Sequence, residues 1–396
     1  MSDLEHVRDA HAPGVAMPPR RDFLRKSLLF TALPIASTAI PLGKALAGPG
    51  TSSSAWNPPV RTHGSATRNV RNYGAKGNGS TDDTTAIQDA IDSLPSSGGT
   101  VTIPAGTYLI DATRSIRPKN RTHLVLADGA KLVARPHASV SAFVIYVYRV
   151  SDVEISGGQI VGERNSHRGS GGESGHGIFV RGSQRVTVRD VHISNFWGDG
   201  ISVGASLVWQ GTDIISRDIA IANVVCTNNR RQGLTIGRVD NIDVYDSEFS
   251  DSNGTEPECG IDIEPDSPGS AYRIHIQNCL LRGNKGYGLN IYKRTQNVTV
   301  KDCIIEYNVN GVATYDCSGL YFHENVFRYN RATGLRIESG TQDCQVSGNT
   351  FYKNYTSNGI HVRTPFWQTG WSSRIERDIL LRGSVADIRI TSNYYR

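Results

Sequence analysis

Eight times along the chain a glycine is followed by an apolar, a variable, a nearly always apolar and a variable residue. Gly177-Ile-Phe-Val-Arg181 comes first, then Gly200-Ile-Ser-Val-Gly204, Gly233-Leu-Thr-Ile-Gly237 and Gly260-Ile-Asp-Ile-Glu264. Gly288-Leu-Asn-Ile-Tyr292, Gly311-Val-Ala-Thr-Tyr315, Gly334-Leu-Arg-Ile-Glu338 and Gly359-Ile-His-Val-Arg363 follow. The steps between these glycines are 23, 33, 27, 28, 23, 23 and 25 residues. Self-similarity at a period of about 20–50 residues predicts a solenoid. Within each rung the alternation predicts a short strand with one buried face. Ile201 and Val203, or Ile261 and Ile263, point inward, and the residues two and four places after each glycine point outward. Stacked at about 4.8 Å per rung, those outward residues form one continuous surface.

The same alternation predicts earlier strands over His123–Leu126, Lys131–Ala134, Phe143–Val147 and Val153–Ser156. A second strand set runs through Val186–Ile193, Ile274–Leu281, Val298–Ile305 and Leu320–Phe327. In that set Cys279, Cys303, Asn325 and Asn349 fall in one equivalent slot that points inward at a turn. Before the rungs, Ala86, Ile87, Ala90, Ile91 and Leu94 recur at helical spacing. Ser80, Thr81 and Asp82 supply an N-cap, and Asp83 places negative charge at the helix start. Gly98-Gly-Thr-Val-Thr-Ile-Pro-Ala-Gly-Thr-Tyr-Leu-Ile110 then reads as strand, turn, strand.

That opening, Val70-Arg-Asn-Tyr-Gly-Ala-Lys-Gly-Asn-Gly-Ser-Thr-Asp-Asp83 with its helix and hairpin, resembles the pectate-lyase-like superfamily of right-handed parallel β-helices. Polygalacturonases, mannuronan epimerases and phage tailspikes share it. The resemblance covers residues 68–396 and implies an all-β, single-stranded right-handed parallel β-helix. Its short N-terminal helix plugs the open end of the stack, where unpaired strand groups and apolar side chains need a cover. It also implies that Asn325 and Asn349 form a hydrogen-bonded ladder, and that homotrimers with sites at subunit interfaces occur.

Composition narrows the class. The chain carries 42 Lys and Arg against 37 Asp and Glu. Without residues 1–47, which hold six basic and four acidic residues, the balance is 36 against 33. That near-neutrality argues against a nucleic-acid partner. Pro19-Arg20-Arg21-Asp22-Phe23-Leu24-Arg25 resembles a twin-arginine export motif. A modest apolar run over 27–40 follows it, then the small-x-small Ala45-Leu46-Ala47. Residues 1–47 are expected to be a signal peptide, 48–67 a linker and 68–396 the catalytic β-helix. The protein is then periplasmic or secreted in a bacterium, with no membrane association once the signal is removed. The six cysteines lack CxxC spacing, which argues against a zinc site. Cys279 and Cys303 lie about one rung apart, which permits a disulfide, but buried thiols are the expectation.

Candidate chemistry lies in the outward rows. Two places after the glycines stand Phe179, Ser202, Thr235, Asp262, Asn290, Ala313, Arg336 and His361. Four places after stand Arg181, Gly204, Gly237, Glu264, Tyr292, Tyr315, Glu338 and Arg363. Asp262 and Glu264 form a carboxylate pair in the middle of this face. Their Cα atoms should be about 6.6–6.8 Å apart, which leaves a carboxyl separation compatible with glycoside hydrolysis. Asp199, in Trp197-Gly-Asp-Gly200, edges the same face two rungs earlier. Clustered acids push one pKa up and provide a proton donor beside a base. Tyr292 and Tyr315 suit pyranose faces. Arg231, Asn290, Lys293, Arg336, Glu338, His361, Arg363 and His176 complete the candidate glycan-binding set.

The pattern departs from that of polygalacturonases. Gly175-His176-Gly177 precedes Asp199 instead of following it, Arg231-Gln232 stands where two aspartates are expected, and no Arg-Ile-Lys is present. The leading expectation is a secreted glycoside hydrolase with Asp262 and Glu264 as acid and base, Asp199 assisting, and no cofactor or metal. One alternative is a uronate lyase or epimerase. There calcium, held by Asp262, Glu264 and Asp266, neutralises the substrate and Lys293 or Arg336 is the base. A non-catalytic glycan-binding β-helix is the other.

Overall fold

A computed structural model describes residues 56–207, 213–354, 367–368, 374–375 and 378–395. The signal-like segment 1–47, His361 and Arg363 lie outside the described residues. The described chain winds as a parallel β-helix. Past the first coils, which lack a strand in the third, each coil gives one strand to each of three sheets, which hold 13, 12 and 10 of the described strands. One coil shows the plan: Val239–Tyr245 enters the first sheet, Glu248–Ser250 the second and Ile261–Ile263 the third, which carries the outward rows.

Register explains why the apolar pattern works. Ile178, Ile201, Leu234, Ile261, Leu289, Val312 and Leu335 are in-register neighbours through successive coils. All are at 0 % exposure, so each coil extends one dry column. The rung glycines are required by close approach. A Cβ on Gly200, Gly233, Gly260 or Gly288 would lie 2.7–2.8 Å from the next rung glycine's carbonyl oxygen. No side chain fits there without spreading the coils.

The predicted slot is a ladder. Asn325 Nδ2 donates to Asn349 Oδ1 at 2.9 Å and Asn349 Nδ2 to Asn393 Oδ1 at 2.9 Å. Cys279 and Cys303 occupy the same slot, and all six cysteines are buried free thiols. Each slot follows a residue in left-handed backbone, Asn278, Asp302 and Glu324 among them, which turns the chain between the first two sheets. A second ladder escaped the sequence reading. It runs Asn284, Asn308, Asn330, Asn354 to Asp378, with side-chain bonds of 2.9–3.1 Å.

The helix spans Thr84–Asp92 with Ile87, Ala90 and Ile91 buried. Asp82 accepts from the Thr84 amide at 3.1 Å, while Asp83 accepts from the Lys76 and Gly77 amides. Two expectations differ from the fold. Part of the expected linker is packed: Trp56 stacks on Tyr245 at 4.2 Å, and buried Arg61 donates to Thr187 Oγ1 and to the Val186 and Asp218 carbonyls. The rung on Gly359 is not the described neighbour of the Gly334 rung. Ile379–Arg382 pairs with Leu335–Glu338 instead, and the Leu335 amide donates to the Asp378 carbonyl. Here an aspartate, Asp378, stands where the earlier rungs have glycine, and the Gly359 segment itself lies outside the described residues.

Candidate active site

Two outward rows of the third sheet fall where the alternation puts them. Thr235, Asp262, Asn290, Ala313 and Arg336 are register neighbours. A third row, one residue before each rung glycine, bends onto the same face at the strand entrances. It places His176, Asp199, Gln232, Cys259 and Tyr287 beside the first two rows. His176 stacks on Phe179 at 5.2 Å, Thr235 Oγ1 donates to Asp199 Oδ2 at 2.8 Å, and Gln232 Nε2 donates to Asp262 Oδ2 at 2.7 Å.

Asp262 and Asp199 are both at 0 % exposure. Asn290 Nδ2 caps the other Asp262 oxygen at 2.9 Å. Burial pushes the Asp262 carboxyl above the ordinary range, Arg231, Asn290 and Gln232 pull it back, and Asp199 adds to the rise. Asp199 is raised too, again by burial first, against the pull of Arg231 and Thr235. Arg231 is the hub. Its Nη1 lies 3.3 Å from both Asp199 oxygens and its Nε 3.3 Å from Glu173 Oε2. Burial alone would weaken its charge, but Asp199, Asp262, Glu173 and Glu264 outweigh that and hold it firmly cationic. Glu264, half-buried, is the member of the expected pair that reaches the surface of this sheet face.

His176 is buried, with its pKa pushed well down by burial and by Arg181 and Arg231. The Asp199 amide donates to its Nδ1 at 3.0 Å, which leaves the proton of the neutral ring on Nε2. His176 therefore positions Asp199 as a neutral acceptor and is not its ion-pair partner.

The flanks sort the remaining candidates. Tyr292 and Tyr315 stack at 5.3 Å, with Lys293 Nζ 5.5 and 5.4 Å from their ring centroids. Arg336 and Glu338 are paired with each other, which ties up two expected binding groups. Asp266 is exposed. Asp262, Glu264 and Asp266 do not bring ligand atoms together, since the one convergent trio among the described residues is elsewhere.

Sequence reasoning passed over Glu173, Gln232 and Thr235, and an aromatic end to the groove. Phe143 stacks on Phe179 at 3.9 Å, Arg181 lies 3.7 Å over Phe179, and Arg117 and Arg149 lie over Tyr146 and Tyr148. Reading the row before the glycine as a third outward row would have found Gln232. Glu173 lies in a turn outside every repeat and carries no periodic signal.

The coil stack and its groove define a right-handed parallel β-helix with a pectate-lyase-like opening. The chain belongs to the family described as "Right handed beta helix region", which matches residues 136–268 and 176–351. Residues 67–133 match "Rhamnogalacturonase A/epimerase, pectate lyase-like". The chain is 28 % identical over 362 residues to the uncharacterized protein YclG of Bacillus subtilis (strain 168), covering 82 % of this chain and 62 % of YclG. It therefore spans less than two thirds of that relative. Among solved structures it resembles the Streptococcus pneumoniae surface protein and adhesin PfbA, with TM-score 0.64, 17 % identity, and coverage of 83 % of this chain and 97 % of that one. It also resembles the A-module of the Azotobacter vinelandii mannuronan C-5 epimerase AlgE4, with TM-score 0.58, 18 % identity, and coverage of 84 % and 97 %. At such identities the likeness carries the fold.

Proposed function

We propose that the protein is a carbohydrate-active enzyme that hydrolyses a glycosidic bond in a groove along the third sheet. One observation carries this reading: Asp199 and Glu173 both lie 3.3 Å from the Arg231 guanidinium, Asp262 and Glu264 add their charges to it, and Asp199 and Asp262 are fully buried, which shifts both carboxyls upward. A hydrolase needs a carboxyl group that is protonated near neutral pH beside one that is ionised. Glu264 at the surface meets the substrate and serves as base toward water. Asp262 is the proton reserve for the leaving oxygen, and Asp199 holds Arg231 in place. Asp262, fully buried, reaches the sugar only when the side chains around it give way. The match to a family described as rhamnogalacturonase and epimerase supports a polysaccharide substrate.

A uronate lyase or epimerase is the second reading, favoured by the strongly cationic Arg231 and by the likeness to a mannuronan epimerase. In it Arg231 neutralises the substrate carboxylate and Lys293 is the base, because Arg336 is already paired with Glu338. The two separate in one assay. A panel of neutral and acidic polysaccharides is incubated with the protein, with and without a calcium-selective chelator. New reducing ends without ultraviolet absorption support hydrolysis. Products absorbing in the ultraviolet, or 5-epimerised uronates without cleavage, replace it with the second reading. Retention on immobilised glycan without any product favours a binding protein. Sedimentation of the same sample tests the homotrimer that the superfamily likeness suggests.

A further inference from the structure

The turns that feed the first two strands of the groove sheet carry a cluster that the proposed reaction does not use. His137 sits in the turn before Ser141–Tyr148, and Glu163 and His167 flank the short 3-10 turn Arg164–Ser166 one coil later. Their side chains are 12 %, 2 % and 0 % exposed respectively. His167 Nδ1 lies 2.9 Å and His137 Nε2 3.3 Å from the same oxygen, Glu163 Oε1. One ligand atom from each residue lies within 4.8 Å of the others.

Two features separate this trio from an ordinary hydrogen-bonded knot. First, ligand atoms about 2.0–2.1 Å from a tetrahedral ion lie roughly 3.3 Å from each other; His137 Nε2 is at that distance from Glu163 Oε1, while His167 Nδ1, at 2.9 Å, is hydrogen-bonded to the same oxygen. Second, His137 Nε2 is buried 3.3 Å from a carboxylate oxygen yet makes no hydrogen bond to it. Its axis therefore misses that oxygen. A nitrogen aimed at a shared point between the ligands behaves this way.

We propose that His137, Glu163 and His167 form a binding site for a divalent transition-metal ion of the zinc class. Two imidazoles and one carboxylate suit zinc, and disfavour calcium and magnesium, which take oxygen ligands. Three protein ligands leave at least one position for water. Two contacts must open on binding. His167 Nδ1 donates to Glu163 Oε1 at 2.9 Å, so this ring too carries its proton on the nitrogen that would face the ion. The Ser139 amide donates to His137 Nδ1 at 3.2 Å and so places the ring proton on Nε2, so the ion needs the other tautomer. The site ties two successive turns together where the Arg168 amide already bonds the His137 carbonyl at 2.8 Å. It anchors the turn that leads to Glu173, whose carboxylate meets Arg231 in the groove. His167 also stacks on Trp197 at 4.1 Å, with Arg230 3.9 Å over the same indole. The proposal stands whether the groove hydrolyses, eliminates or only binds.

The test is a cobalt titration of metal-stripped protein purified without a histidine tag. The wild type should bind one ion in this site, with the intense visible bands of four- or five-coordinate cobalt and quenching of Trp197 fluorescence. Added zinc should abolish the bands. Trp197→Phe should keep the bands and lose that quenching. Glu163→Gln and His167→Ala should weaken binding by about 100-fold, with circular dichroism confirming the fold. Zinc-edge absorption of the wild type, which needs no variant, should show two imidazole ligands. A wild type without such bands, an edge spectrum without imidazole, or folded variants that bind as tightly as the wild type would each overturn the site.

Discussion

Two ladders run along the same coils and do opposite things. From Asn284 to Asn354 one slot repeats a single residue, and each amide bonds the next with its side chain. Asn308 and Asn330 also satisfy backbone groups of adjoining coils. In the row before the rung glycine the residue changes at every coil: His176, Asp199, Gln232, Cys259, Tyr287. That row includes four titratable groups shifted by burial, His176, Asp199, Cys259 and Tyr287, and Gln232 Oε1 within it and Arg231 Nε beside it lack hydrogen-bond partners. The scaffold and the spacing are common to both. Where the repeat is kept, buried polar groups are satisfied and hold the coils together. Where it is broken, polar groups are left strained and available, which is what chemistry requires.

The comparison can be broken first at the groove. Glu264→Gln should lower turnover by about 10³-fold, the range for losing a positioned acid or base, while the thermal midpoint stays near that of the wild type. Loss of activity only in proportion to loss of fold would erase the distinction. Next, Asn330→Ala removes the acceptor of the Asn308 amide and two donors. It should cost about 3 kcal/mol of stability, since buried groups are left unpaired. Denaturant unfolding reads this, and activity per folded molecule should be unchanged. Tyr292→Ala then sharpens the groove's extent: KM should rise about tenfold with turnover little altered, as expected for a lost stacking contact.

The smallest effect concerns pH. Asp199 has a raised pKa in the fold, so the native state holds its proton more tightly than the unfolded chain does. Its contribution to stability therefore falls as pH rises from the ordinary carboxylate range through the raised value. Asp199→Asn lacks that loss. The midpoint of the variant minus that of the wild type should grow more positive from about pH 4 to pH 7, and a difference that shrinks would contradict the assigned shift.

Much of the fold was legible because a coil must repeat. The alternation after each glycine set strand, face and register, and the Cys279, Cys303, Asn325, Asn349 slot emerged at its place. The second asparagine ladder was missed because it precedes the rung glycine by three or four residues in turns of uneven length. The strand that pairs with the Gly334 rung was passed over because Asp378 stands where glycine served as a marker. The site was half legible. Asp262 and Glu264 stood out as acids in an outward row. Yet burial, which leaves Asp262 beneath the surface and makes Arg231 the hub, depends on neighbouring coils that no single rung displays. His137 and Glu163 meet only because a turn of one coil lies against a turn of the next, a juxtaposition that spacing does not reveal.

The most direct test sets Asp262→Asn beside Asn330→Ala on the polysaccharide that the wild type consumes. Turnover per folded molecule is measured along with the thermal midpoint. The account expects Asp262→Asn to lose about 10³-fold in turnover with a midpoint within about 4 °C of the wild type, and Asn330→Ala to show the reverse. Asp262→Asn turning over within tenfold of the wild type would contradict it and move the chemistry to another part of the groove.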